Sequence, residues 1–232
     1  MLRIGERLQT IASMVPPGST VADIGTDHGY VPAYLVLTGR CRYVIASDIA
    51  EGPCRAAAET RKKYNLLENM DIRTAPGLQG LRTGETETVV IAGMGGATII
   101  DILEESPEIA ASVKTLVLQP MNAANLLRRW LMQHGYRIAE EALCKENDHI
   151  YVIIKALHTD EKQELSFLEE ELGPCILNSK PALWREFIQG KAEHYRRLLQ
   201  QMEASSAAMN SDKYKELKKL LGQVDGLIDK SV

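Results

Sequence analysis

Several things are missing from this chain of 232 residues, and each absence removes a class of protein. Its four cysteines, Cys41, Cys54, Cys144 and Cys175, are widely spaced and form no C-x-x-C pair, so neither a bound metal nor a disulfide framework is expected. No apolar stretch nears the roughly 20 residues of a membrane span. Met1-Leu-Arg-Ile-Gly-Glu6 lacks the apolar core of a secretory leader. Both point to a cytoplasmic protein with no membrane partner. A net charge of −4 excludes a globally basic nucleic-acid binder and leaves room for a local basic face.

What is present begins with Val21-Ala-Asp-Ile-Gly-Thr-Asp-His-Gly-Tyr30. The apolar run 20–24 is short and β-rich, bounded by Pro16-Pro17-Gly18 and Gly25, the pattern of a strand buried on both faces. A tight turn follows, with Gly25 and Gly29 where backbone can approach a ligand, and Pro32 with apolar spacing starts a helix after Tyr30. The turn reads Asp23-x-Gly25-x-x-x-Gly29, not the G-x-G-x-x-G that seats a pyrophosphate on a helix N-terminus. Asp27 occupies or repels the place a phosphate needs. A cationic nucleoside without phosphate fits better, and S-adenosylmethionine is one. A second apolar run, 43–46, ends at Ser47 and Asp48, and 48 − 23 places this acid 25 residues after Asp23, near the offset at which an acid takes ribose hydroxyls. Blander readings stand beside these: Asp23 as a turn acid, His28 as a surface histidine, Asp27 as a cap for the helix at Gly29.

Ile4, Leu8, Ile11 and Val15, spaced by four and three, predict an amphipathic opening helix that stops at Pro16 and lids the first strand. Further strands are predicted at 70–73, 88–92 and 115–118, separated by helix-compatible segments, which makes an α/β fold with a doubly wound parallel sheet. Segments 136–141 and 149–156 are too close for a helical crossover and form an antiparallel pair joined by Lys145-Glu146-Asn147-Asp148. This domain takes residues 1–157. In residues 158–232, Trp184, Ile188, Lys191, Tyr195, Leu198 and Met202, then Tyr214, Leu217, Leu221, Val224 and Ile228, predict two helices of coiled-coil character. A short polar connector, 205–211, folds them back as a hairpin. Lys180, Arg185, Lys191, Arg196 and Arg197 form a basic stripe, either a solvated face or a nucleic-acid contact.

Two strand ends complete the list of candidates. Ala92-Gly-Met-Gly-Gly96 lies at the carboxyl edge of a central strand, where its glycines admit a flat base or simply form a tight turn. Gln119-Pro120-Met121 ends the next strand, and the amide either contacts substrate or caps a helix.

The residues 22–30, Ala46-Ser-Asp48, Ile91-Ala-Gly-Met-Gly-Gly96 and Leu118-Gln-Pro120 together resemble the bacterial TrmK family of tRNA (adenine-N1) methyltransferases, which modify adenine 22. The likeness runs through about residues 1–156, and the helical tail is similar to that family's coiled-coil domain. It implies a class I methyltransferase sheet, S-adenosylmethionine as cofactor and tRNA as partner. The cofactor positions it implies are Asp23, Gly25, His28, Asp48, Ile49, Ala75, Pro76, Gly93 and Met94, with Asp27 as catalytic acid or base. Substrate contacts fall to Tyr30, Gly95, Gln119 and the five basic residues of the tail. The run 93–96 is not the Asn- or Asp-Pro-Pro-aromatic loop of amino-group methyltransferases, which disfavours attack by the exocyclic amine. Pro76 offers no side-chain hydrogen bond, so selection of the cofactor adenine is expected from backbone near 73–77. A monomer is favoured. A methyltransferase for another RNA or a protein, and a nonenzymatic cofactor-binding adaptor, stay open.

Overall fold

Strands form here where branched apolar residues run on without polar interruption, and the sheet follows from how those runs are covered. The structure, a computed structural model, describes residues 2–159 and 161–229; residues 1 and 230–232, the outer ends of the two expected domains, lie outside the described residues. The described chain divides into two units, 1–164 and 165–232.

In the first unit, β1 (Val21–Ile24), β2 (Val44–Asp48), β3 (Met70–Thr74), β4 (Thr88–Met94) and β5 (Thr115–Pro120) run parallel. They alternate with α1 (Glu6–Met14), α2 (Tyr30–Leu37), α3 (Glu51–Lys63), α4 (Gly96–Glu104), α5 (Pro107–Ser112) and α6 (Ala124–Gln133). β6 (Tyr136–Glu146) and β7 (His149–His158) close the sheet in the order β3-β2-β1-β4-β5-β7-β6, with β7 antiparallel to both its neighbours. Every residue of β1 and β5 is buried, as helices on both faces require. The chain moves outward from β1 to β3 and then returns to lay β4 on the other side of β1, so a crevice opens at the carboxyl ends of β1 and β4.

Several expectations change in detail. The opening helix packs mainly on α2 and on β5, β7 and β6 rather than lidding β1, although Ile11 and Val15 share a core with Val21. β6 and β7 run longer than predicted, and Lys145 and Glu146 belong to β6. Only Asn147 and Asp148 form the turn, both at positive φ (49° and 62°), the two-residue geometry that matches strand twist. β4 extends through Met94, with a register shift between Ala92 and Met94 that leaves Gly93 (φ 79°) as the bulge.

In the second unit, α7 (Phe167–Leu172) starts at a Ser166 and Glu169 capping box, and α8 (Pro174–Ser179) follows. Neither helix is evident from periodicity, because each is too short to show a repeat. α9 (Trp184–Met202) and α11 (Asp212–Asp229) pack on each other, and Tyr195, Leu199, Leu217, Leu220 and Val224 are among their buried residues. The pairs Arg196 with Asp225 and Glu203 with Tyr214 make the helices antiparallel. Their connector contains the helix α10 (Ser206–Met209) rather than open polar chain. Among the described residues, no helix is long and apolar enough to cross a membrane.

Candidate active site

The loop after β1 is held open by three left-handed residues, Gly25 (φ 74°), Asp27 (φ 49°) and Gly29 (φ 67°). It hangs on β2, since the N–H groups of Gly25 and Thr26 both donate to Ser47 O at 2.8 and 3.0 Å. Gly29 seats the loop on α3: a β-carbon there would lie 3.1 Å from Ala57 Cβ and 2.6 Å from Met70 Cε.

Asp23 is 5 % exposed and accepts from Thr26 Oγ1 at 2.8 Å. Burial pushes its carboxyl up to about 7, and the charge of Asp48 adds to this against the Thr26 hydrogen bond. Asp48, at the end of β2, accepts from Ala50 N–H at 2.9 Å. These groups open onto a cavity of about 370 Å³ lined by Arg7, Leu8, Asp23, Gly25, Thr26, Asp27, His28, Tyr30, Val31, Asp48, Ala92, Gly93 and Met94. Met94 reaches across so far that a β-carbon on Gly25 would overlap its Cε. Asp27 is largely exposed and 3.7 Å from His28 Nε2, while His28 stacks on Tyr30 with centroids 5.2 Å apart. No side chain caps α2, which removes the helix-cap account of Asp27.

Arg7 is the cavity residue that sequence reasoning missed. It donates to Gln119 Oε1 (2.7 Å) and Glu146 Oε2 (3.1 Å) and lies over the Tyr151 ring at 5.5 Å. A single arginine on an amphipathic helix carries no distinguishing signal; three strands from distant sequence aim it. Leu8, Val31 and Ala92 were legible only as core, and Thr26 only as loop filler.

The cavity thus gathers Asp23, Gly25, Asp27, His28, Tyr30, Asp48, Gly93 and Met94, and leaves other expected residues outside. Gln119 is fully buried and turned to Arg7 and Pro120 O, so the expected substrate contact is replaced by support for Arg7. Ile49 (71 % exposed), Ala75 and Pro76 do not line it, though Ala75 N–H donates to Asp48 O at 2.9 Å. That segment is braced by Arg73, which donates to Asp71, Glu85 and Gly80 O and holds the Glu85 carboxyl down at about 2. Gly95 lies one residue beyond the lining.

In the helical unit the basic residues do not form one stripe. Lys180 ends α8 at φ 44°. At about 100° per residue, Arg185 and Arg196 share a face of α9, with Lys191 and Arg197 turned well away on either side. Lys191 pairs with Glu171 at 3.5 Å and Arg196 with Asp225 at 2.5 Å.

A parallel sheet with its cavity at the topological switch point, acidic strand ends and no phosphate seat defines a class I methyltransferase domain, and residues 4–154 match the family model described as a methyltransferase domain. The chain belongs to the bacterial family of the Bacillus subtilis tRNA (adenine(22)-N(1))-methyltransferase, to which it is 30 % identical over 98 % of both chains. The solved B. subtilis m1A22 tRNA methyltransferase TrmK superposes with a TM-score of 0.87 at 29 % identity, covering 98 % of this chain and 100 % of that one. A Streptococcus pneumoniae homologue solved in complex with S-adenosyl-L-methionine gives 0.83 at 32 % identity, covering 94 % and 100 %.

Proposed function

We propose that this chain transfers a methyl group from S-adenosylmethionine to N1 of adenine 22 in tRNA. The observation that carries the reading is the acidity of the cavity: three acidic side chains, Asp23, Asp27 and Asp48, line it together with a single arginine, Arg7. That set suits a zwitterionic, cationic nucleoside and repels a phosphate.

The residues present fit this cofactor. Asp48 ends β2 where a ribose diol would be held, the buried Asp23 suits a nearby cation, and Arg7, already aimed by Gln119 and Glu146, suits a carboxylate. Ile49, Ala75 and Pro76 flank Asp48 and would cover the adenine, with Gly93 and Met94 as the wall opposite. When bound, the cofactor supplies an electrophilic methyl group. The chain's own work is alignment and proton handling. Met94, stacked over Gly25, excludes water from one side. The base, once unstacked from its stem, would meet the His28–Tyr30 pair and slide in over Gly95. Asp27, exposed at the mouth and free of any capping duty, takes a proton as the methylated base becomes cationic.

The second unit is assigned the grip on tRNA. Arg185 and Arg197 extend outward on α9, with Lys180 at the end of α8, and their phosphate contacts would weaken steeply with salt. The proposed working form is a monomer in the cytoplasm. Nucleoside mass spectrometry of tRNA incubated with the protein and labelled cofactor is the test. Labelled 1-methyladenosine confined to position 22 is the expected product; label on N6, on another position or on protein overturns the assignment.

A further inference from the structure

Beyond the cavity, the chain after β4 and the chain after β5 are joined by two backbone hydrogen bonds. Met121 N–H donates to Met94 O at 2.7 Å, and Gly96 N–H donates to Asn122 O at 3.1 Å. These bonds set Asn122 beside Gly95. Its Oδ1 lies 3.1 Å from where a β-carbon on Gly95 would stand, so the amide rests against a bare α-carbon. The neighbouring backbone is packed as closely, since a β-carbon on Gly96 would come within 2.5 Å of Ala123 O, and Ala123 itself is left-handed at φ 50°. The Asn122 side chain is exposed and its amide has no hydrogen-bond partner among the described residues. Next to it, the space above Gly93 is open, with no atom within 4 Å of where a side chain would begin. An exposed amide with no protein partner among the described residues therefore stands against Gly95, next in the chain to Met94 of the cavity wall.

We propose that Asn122 reads the Watson–Crick edge of the target adenine, its Oδ1 accepting from the N6 amine. This rests on the adenine-N1 reading above and deepens it. Transfer to N1 requires that edge to face the cavity, and N6 is bonded to the carbon next to N1, so its partner must stand at the cavity mouth. Asp27 on the loop after β1 lines the cavity, and Asn122 on the loop after β5 stands against Gly95, next in the chain to the lining residue Met94. An amide cannot take the proton released from the methylated base, and a neutral acceptor orients the amine without altering its charge. Asn122 is the specificity residue, and Asp27 keeps the proton.

The test uses full-length protein and tRNA carrying at position 22 either adenosine or purine riboside, which lacks the 6-amino group. Single-turnover rates, KM and cofactor affinity are measured for wild type, Asn122→Ala and Asn122→Asp. Removing a neutral hydrogen-bond acceptor is expected to lower transfer to adenosine by about 10-fold, with cofactor affinity unchanged. On purine riboside, whatever its intrinsic reactivity, Asn122→Ala should cause no further loss. Asn122→Asp keeps an acceptor and should stay within about threefold of wild type on adenosine. Equal loss on both bases, or none on either, overturns the role of Asn122 while wild-type methylation of adenosine leaves the enzyme's function standing. Absence of 1-methyladenosine from the wild-type reaction overturns both.

Discussion

The sheet unit and the helical unit treat charge in opposite ways. In the sheet unit, Arg128 and Glu141 form an ion pair at 2.7 Å with both side chains fully buried, and Asp23 is sealed beneath a ligand cavity. In the helical unit, Arg196 and Asp225 meet at 2.5 Å with side chains 53 % and 40 % exposed, and water screens them. Burial is what converts a charge into architecture or chemistry. The same residue types on a wet helix give solubility and reach.

The largest effect expected from this contrast is on stability. Glu141→Ala removes the carboxylate that accepts from the buried Arg128 Nε and should cost about 3–5 kcal/mol in denaturant unfolding. A cost below about 1 kcal/mol would mean that water reaches the pair and that the contrast is one of degree.

Next comes cofactor grip. Asp48→Ala removes charge-assisted hydrogen bonds to a ribose and should weaken S-adenosylmethionine binding by about 2–4 kcal/mol in calorimetry. The fold should survive with only the loss of the Ala50 N–H acceptor. Unchanged affinity removes Asp48 from the site.

Asp27→Asn should lower single-turnover transfer by about 10²-fold, with thermal stability near wild type because no helix end depends on it. A rate within about threefold of wild type would retire Asp27 as the proton acceptor.

A pH effect of roughly tenfold per unit should follow from Asp23. Its folded carboxyl sits near 7 against an ordinary 3.8, so the unliganded protein holds a proton there that the unfolded chain has lost. The stability this contributes is present below about 4 and disappears as pH rises through about 7. A cationic ligand favours the ionised form, so cofactor affinity should climb with pH up to about 7, and binding near pH 6 should release a proton. Calorimetry in buffers of different ionisation enthalpy detects that proton; flat affinity across the range would show that no cation lies beside Asp23.

The smallest effect belongs to the exposed pair. Arg196→Ala should change stability by less than about 1 kcal/mol, since an exposed ion pair offsets little more than the entropy of ordering it. A larger loss would place Arg196 among structural residues rather than phosphate contacts.

Five parallel strands, the glycine turn and both long helices were legible because each is written in local periodicity. Thr20 to Ile24 needed only a run of apolar residues, and α9 and α11 only a repeat of three and four. The acids Asp23, Asp27 and Asp48 were legible because strand ends in such sheets face the same edge. Arg7 and Asn122 were not. Arg7 becomes a cavity residue through Gln119 on β5, Glu146 on β6 and Tyr151 on β7, and Gln119 is spent in aiming it. The five basic residues of the tail suggested a stripe in linear order, which the helical angle dispersed.

The sequence by itself determined which segments become strands and helices, where the chain turns left-handed and where carboxylates end strands. Those outcomes depend on backbone sterics and on apolar period, which act over a few residues. Only the tertiary structure decided that Asp23 is buried enough to hold its proton, that Arg7 completes a cavity built mainly from the loop after β1, the start of α2 and the end of β4, and that the Asn122 amide oxygen comes up against Gly95. Desolvation and close approach are properties of what packs around a group, and those neighbours come from elements far apart in the chain.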